Sequence, residues 1–405
     1  MSIEIKNIAE LVIPVLKPTE AFVEYESNKL LSPGENYGSV MLEIKLKIRK
    51  ENDDHEVLNC VAKICPTSPE LREIFNTKVT FKKEIAVYTT IAPLLINFCK
   101  TKGADSLINF FTKLIGARLS LNPESSEVDE DAVLLLENLN MEGYNTGNRF
   151  VGFDEETTKY LLRDLAVMHS TAIAYRTAHP EEFNLKILPY LKRDLNSKAV
   201  DKVIDDFAKR FVDAAEQNPD CAPFLSKIKI ALIEMKEVTR NPPKGKDIFM
   251  TLTHNDFWVN NTMLKYNEGK PIGNKIIDFQ MIEYSSLAND VIFFLYSSVE
   301  LSVLETKIDE LIQYYYDMFI MTLVKLGYNI SAYSFESMME DFAYIANKCQ
   351  FTHILYLLSP IMKLKTVQNS QLKTDDTANS DRILHENYYG KLQFVLSDFD
   401  KRGWI

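Results

Sequence analysis

The chain has 405 residues, 46% of them hydrophobic and 25% charged, with glycine and proline both scarce. That composition leaves little room for a disordered tail or a low-complexity linker, and the length suits two or three domains, or two lobes around a cleft. The formal net charge of −11 argues against non-specific binding to nucleic acid or to an anionic membrane, since both need a basic surface.

The first residues, Met1 to Lys6, contain no basic region followed by an apolar core, so no signal peptide is expected. The alternation over residues 39–49 predicts an amphipathic strand, with Val40, Leu42, Ile44, Leu46 and Ile48 on one face and Glu43, Lys45, Lys47 and Arg49 on the other. Lys50 to Asp54 reads as a turn and Glu56 to Ile64 as the hairpin partner. In that partner Leu58, Cys60, Ala62 and Ile64 share one face, while Lys63 falls on the other beside Val61. Just upstream, Pro33-Gly34-Glu35-Asn36-Tyr37-Gly38-Ser39-Val40 keeps only the last Gly-x-Val of a glycine-rich phosphate loop. Its backbone N–H groups and the Ser39 hydroxyl can meet a phosphate, and a tight hairpin turn is an equal reading.

From Glu70 to Tyr88 the pattern is helical, with Phe81, Ile85 and Tyr88 on one stripe and Glu84 beside it. Ala132 to Glu137 is a short apolar run, the mark of a buried strand leading into a connector. The chain beyond it is largely helical: residues 155–177, 303–326 (opened by a capping box from Ser302 to Glu305 and closed at Gly327) and 335–358. His169, on the first of these helices, reads as a satisfied core histidine. The clear non-helical island is 250–280. Five cysteines, Cys60, Cys65, Cys99, Cys221 and Cys349, are scattered without zinc-ligand spacing and read as reduced thiols. The run from Asp290 to Tyr296 is too short to span a bilayer, so a cytoplasmic, monomeric protein with no membrane or nucleic-acid partner is expected.

The island carries the chemistry. His254-Asn255-Asp256-Phe257-Trp258-Val259-Asn260-Asn261 has the spacing of a kinase catalytic loop, in which an Asp takes the proton of the attacking hydroxyl and an Asn five residues on holds magnesium. Ile276-Ile277-Asp278-Phe279-Gln280 then delivers a second Asp after an apolar strand. Asp256 is the expected base, and Asn261 and Asp278 the expected magnesium ligands, hard oxygen donors suited to that ion. His254 is expected to brace the loop through a backbone hydrogen bond. Lys63, in Val61-Ala62-Lys63, is the expected phosphate-pairing lysine and Glu84 its helix partner; a solvated strand lysine and an exposed helix carboxylate are the plainer readings. Asp290 reads most simply as a helix N-cap, and as a brace for the catalytic loop in the sharper alternative. Core packing is the simpler role for Trp258.

These strings, together with Asn289-Asp290-Val291 and the adjoining Phe293-Phe294-Leu295, resemble the insect ecdysteroid-kinase-like group, a branch of the aminoglycoside phosphotransferase and choline kinase type of small-molecule kinases. The segments Gly34 to Ser39, Phe81 to Tyr88 and Leu136 to Leu139 are similar to that group's N-lobe. The resemblance implies an α+β, bilobal protein-kinase-like fold: a small antiparallel-sheet N-lobe over residues 1–137, and a large, mainly helical C-lobe over 138–405 with the catalytic segment at 250–290. It also implies ATP with Mg²⁺, a small alcohol substrate such as an ecdysteroid or a foreign alcohol, phosphate binding around Gly38 and Ser39, and adenine hydrogen bonding by the backbone around Leu136 and Asn138. Asn255 stands where the group commonly has glycine, with a narrowed loop as one consequence, and Asn138 where it often has Asp. A protein kinase is disfavoured, because neither a His-Arg-Asp string nor an Ala-Pro-Glu string occurs. A choline-type kinase and a catalytically silent binding protein are the alternatives.

Overall fold

The computed structural model describes residues 4–30, 39–66, 68–192, 198–364 and 384–405. Gly38 and the rest of the expected phosphate loop, 33–38, lie outside the described residues. The fold is α+β, a five-stranded antiparallel sheet with a mainly helical remainder.

Five strands, β1 (Ala21–Lys29), β2 (Val40–Arg49), β3 (His55–Ile64), β4 (Leu114–Arg118) and β5 (Val133–Glu137), form an antiparallel sheet in the order β1-β2-β3-β5-β4. The hairpin has the expected register, with Val40 opposite Ile64 and Arg49 opposite His55. One face of the sheet buries Leu42, Ile44, Leu46, Cys60, Ala62, Val133 and Leu135 against helix α1 (Ile8–Val12). Gly116 in β4 permits this approach, because a Cβ there would lie 2.4 Å from the Leu11 carbonyl oxygen. The opposite face joins the larger core through Leu134. An apolar run without alternation is what a strand buried on both faces requires, which explains Ala132 to Leu136.

The segment 70–88 is not one helix. Helix α2 (Pro69–Ile74) stops before Asn76, which takes a left-handed conformation (φ 44°), and helix α3 (Thr77–Ala86) starts after it. Asparagine is the non-glycine residue best suited to that turn. Phe81, Ile85 and Tyr88 are buried as the stripe implies. Helix α3 continues through a π turn (Val87–Ile91) into helix α4 (Ala92–Thr101), whose Phe98 packs edge-on against Tyr175 at 5.5 Å.

The helical lobe comprises α5 (Glu155–Ala178), α6 (Pro180–Lys186), α7 (Lys198–Gln217), α8 (Leu225–Arg240), α9 (Ala288–Ser298), α10 (Leu301–Lys325), α11 (Phe335–Ile345), α12 (Phe351–Met362) and α13 (Asn387–Lys401). Asp154 caps α5, accepting the Thr157 N–H at 2.8 Å. The capping box at Ser302 is absent: α10 begins two residues earlier than expected, after Glu300, with no side-chain cap. Gly327 does end it, at φ 84°. The expected helix over 335–358 is α11 and α12 joined by a second π turn (Ala346–Gln350). Between α8 and α9 lie β6 (Met250–Thr253), β7 (Thr262–Asn267), β8 (Lys270–Ile276) and β9 (Glu283–Ser286). Among the described residues no helix is long and apolar enough to cross a membrane. The five cysteines are free thiols, four of them buried.

Helix α9, which lies inside the core, ends against a buried cation. Lys391 on α13 donates to the Ser297 carbonyl at 2.9 Å, and burial, opposed by Glu300, pulls its ammonium down to about 7. The unfolded chain therefore holds a proton that the folded chain releases between about 7 and the ordinary lysine value. Stability from this group rises as pH climbs through that window, and at neutral pH its penalty is nearly complete. Lys391→Met should raise Tm at pH 7 by at least about 2 °C, with the gain shrinking towards pH 10 or so. Thermal melts at both pH values check this; an equal gain at both would contradict the assignment.

Candidate active site

The four strands of the island pair in a nested way. β6 pairs with β9 and β7 with β8, so the connections 254–261 and 277–282 lie side by side. The Ile277 N–H donates to the Asn261 carbonyl at 3.0 Å and ties the two together. Two strings 15 or more residues apart in the chain thus become one site.

Within the first connection the Asn261 side-chain amide donates to the Asp256 carboxylate at 2.8 Å and to the Asp256 carbonyl at 2.8 Å. The amide nitrogen is thereby engaged, which leaves the side-chain oxygen Oδ1 of Asn261 as its ligand atom. Burial, reinforced by the nearby charge of Asp278, raises the Asp256 carboxyl well above its ordinary value, against the stabilising amide of Asn261. His254 is fully buried, and its Nε2–H donates to the Ile277 carbonyl at 2.9 Å. Burial lowers its pKa, so the ring is neutral at pH 7 and acts as a brace between the connections.

Asp278 takes a left-handed backbone conformation (φ 64°) two residues beyond the end of β8. Its Oδ1 accepts from the Lys63 ammonium at 2.6 Å, and the same ammonium meets Glu84 Oε2 at 2.6 Å. Lys63 comes from β3 opposite Leu134, and Glu84 from α3; both are buried. Burial alone would pull the lysine down, but the two carboxylates outweigh it and hold the ammonium protonated above its usual range. The plainer readings of a solvated lysine and an exposed carboxylate therefore fail on burial and pairing. Phe279, fully buried, packs against Tyr88 in the π turn after α3 (5.9 Å) and against His254 (5.0 Å), so an apolar column runs beside the ion pairs.

Asp290 is not an N-cap. It lies inside the first turn of α9, wholly buried, and its carboxylate accepts the His254 N–H and the Asn255 N–H, each at 2.7 Å. His169 Nε2 approaches the same carboxylate at 3.0 Å. Val259 is held from the other end of α9, donating to the Ser298 hydroxyl at 3.1 Å. These anchors explain Asn255. Its φ of 63° is left-handed, a conformation in which glycine is unstrained and asparagine is the best-tolerated side chain.

At the sheet edge of the cleft, Ser39 is buried at the head of β2, its hydroxyl 4.0 Å from the Met41 sulfur. Leu136 pairs on both sides, with Val61 of β3 and Leu114 of β4. The Asn138 N–H donates to the Asn59 carbonyl and its own carbonyl accepts from Met141, both at 3.1 Å. Neither group of Asn138 is left open in the way the sequence suggested. One residue on, the Leu139 N–H donates to no group among the described residues. Among the described residues no three His, Cys, Asp or Glu side chains come together as a preformed metal site.

The family model for the ecdysteroid kinase-like family matches residues 33–328. The chain belongs to the ecdysteroid kinase-like family. The matched span includes Lys63, Glu84, Asp256, Asn261, Asp278 and Asp290. Solved structures similar to the chain include the GDP complex of wild-type aminoglycoside 2'-phosphotransferase-IIIa (11% identity, 95% of this chain and 94% of that chain, TM-score 0.39). A mutant of the same enzyme, also as a GDP complex, is similar over 99% of both chains (11% identity, TM-score 0.41). An aminoglycoside phosphotransferase from Alicyclobacillus acidocaldarius subsp. acidocaldarius DSM 446 is similar over 97% of this chain and 91% of that one (8% identity, TM-score 0.34). The curated proteins contain no match.

In this ecdysteroid kinase-like chain the left-handed turn makes Asn255 a backbone device. Asn255→Gly should be tolerated, with stability changed by no more than roughly 0.5 kcal/mol. Asn255→Val should cost on the order of 1–2 kcal/mol, because a β-branched residue resists that conformation. Urea denaturation of the three proteins checks the order; equal stability for Val and Asn would refute it.

Proposed function

We propose that the protein is an ATP- and Mg²⁺-dependent phosphotransferase that phosphorylates a hydroxyl of a small molecule, an ecdysteroid-like steroid or a foreign alcohol. The observation that carries this reading is the joining of Lys63, Glu84 and Asp278 by 2.6 Å contacts beside the Asp256–Asn261 pair. A strand lysine, a helix carboxylate and two loops are far apart in the chain, and phosphoryl transfer needs this set together. The family membership supports the substrate class.

Asp256 orients the acceptor hydroxyl and takes its proton as the oxygen attacks the γ-phosphorus; the bond from that phosphorus to the bridging oxygen breaks, and ADP leaves with the electron pair. Lys63, held by Glu84, pairs with the α/β-phosphates, and Ser39, at the head of β2 on the same end of the hairpin, adds a hydroxyl. The purine edge meets the backbone N–H of Leu139, since Leu136 is paired in both ladders and the groups of Asn138 are engaged within the protein. The donor set fits magnesium: Asp278 offers a carboxylate and Asn261 a carbonyl oxygen, both hard, and too few to bind the ion without phosphates and water. Bound there, the ion neutralises phosphate charge and aligns the γ-phosphate. His254 and Asp290 keep Asp256 in register without touching substrate.

The test is an ATP-consumption assay with Mg²⁺ against steroid, plant-derived and amino alcohols. Asp256→Asn should lower turnover by roughly 10²–10⁴-fold with nucleotide affinity retained; near-normal turnover would remove Asp256 from the base role. Asp278→Ala should abolish the Mg²⁺-dependent part of thermal stabilisation by ATP, and unchanged stabilisation would count against its metal role. Asp256 accepts a proton only when ionised, and its pKa is raised, so the acid limb of the kcat/KM profile should lie above the ordinary carboxylate range. A limb at or below that range would contradict the assignment.

A further inference from the structure

The loop clamp extends one residue deeper than Asp290 and His169. On α10, Tyr315 is completely buried, and its hydroxyl lies 2.7 Å from His169 Nδ1. His169, equally buried on α5, reaches Asp290 Oδ2 at 3.0 Å through its other nitrogen. The Asp290 carboxylate, in turn, holds the backbone N–H groups of His254 and Asn255 at 2.7 Å. The chain of contacts thus runs from a helix remote from the cleft to the two residues before Asp256.

The protons in this chain are determined by what each atom can do. A carboxylate only accepts, so His169 Nε2 must carry hydrogen. A neutral ring then presents a lone pair at Nδ1, and the Tyr315 hydroxyl donates to it. With this arrangement each O–H and N–H in the chain has an acceptor. Were Nδ1 to carry the proton instead, the Nε2 lone pair would face the Asp290 carboxylate and repel it. Asp290 and the buried Tyr315 hydroxyl therefore select the same tautomer from opposite sides of the ring, the one in which His169 supports Asp290.

We propose that Tyr315 is a positioning residue of the active site: by donating to His169 Nδ1 it fixes the imidazole tautomer that keeps Asp290, and through it the left-handed turn at Asn255, in place before Asp256. Its turnover arm rests on the phosphotransferase reading; its structural arm does not. Tyr315 touches neither nucleotide nor acceptor, so its contribution belongs in kcat and in loop order rather than in KM.

The experiment compares wild type, Tyr315→Phe, His169→Gln and the double variant by hydrogen exchange on peptides spanning 252–257, read by mass spectrometry on the full chain without ligand. Tyr315→Phe removes one buried hydroxyl and should speed exchange in that segment about tenfold, leaving α7 and α8 unchanged. In the kinase assay it should lower kcat about fivefold with KM for ATP unchanged. His169→Gln retains an N–H donor towards Asp290 that needs no tautomer selection, so adding Tyr315→Phe to it should change nothing further. Unchanged exchange in Tyr315→Phe, or an undiminished effect of that substitution on the Gln background, would overturn the proposal. So would a rise in KM alone. If Tyr315→Phe does not fold, the comparison passes to His169→Gln and His169→Leu: protection kept by Gln and lost by Leu supports the clamp, and equal loss in both refutes it. Faster exchange in a protein whose wild type consumes no ATP supports the clamp and removes the kinase reading; turnover with unaltered exchange does the reverse.

Discussion

A single ammonium group joins the parts of this molecule that matter to one another. Lys63 meets Glu84 from α3 and Asp278 from the connection after β8, each at 2.6 Å, so a strand, a helix and the catalytic segment share one cation. Burying such a charge is tolerable only with excellent geometry, and removal of the lysine would leave two carboxylates facing each other, uncompensated, in a poor dielectric. The strand order follows from the same need, because β5 must lie beside β3 to cover Lys63 with Leu134 while Leu135 faces the other core.

The helical lobe handles the complementary problem of holding a loop with unfavourable backbone conformations still. Asn255 and Asp278 both have positive φ, one in each of the two adjacent connections. Strain of this kind persists where surrounding contacts over-determine it. Here the contacts are Asp290 and Ser298, at opposite ends of α9, with Phe279 and His254 packed between the connections. The buried position of α9 is thus more than a matter of apolar content: a carboxylate inside a helix that is buried on all sides can hold backbone N–H groups without competition from water.

Much of this was legible in the chain. The alternation at 39–49 defined the hairpin and its register, because a one-residue slip would turn Lys63 and every apolar neighbour to the wrong face. Spacing alone marked Asp256, Asn261 and Asp278 as a set, since the chemistry tolerates few distances between its ligands. Local signals failed where tertiary contacts set the outcome. The box at Ser302 was overridden by the start of α10 at Leu301, and Asn76 broke a pattern that reads as continuous helix. β1 and β4 went unread, since edge strands with mixed faces carry little periodicity. The true role of Asp290 was one of two readings that sequence could not separate, because a cap and a long-range acceptor place the same residue at the same point of a helix. His169 reads correctly as a satisfied core histidine, but its partners on α9 and α10 are 121 and 146 residues away.

The π turn at Val87–Ile91 has a consequence for how this helix tolerates change in length. Such a turn contains one residue more than regular helix, and each added residue rotates the remainder of the helix by about 100°. The extra residue sets the phase between Glu84, which must face Lys63, and Phe98, which must face α5. A one-residue deletion there would restore ideal hydrogen bonding and still break the alignment of Glu84 with Phe98, so the number of residues in this helix is itself a structural requirement.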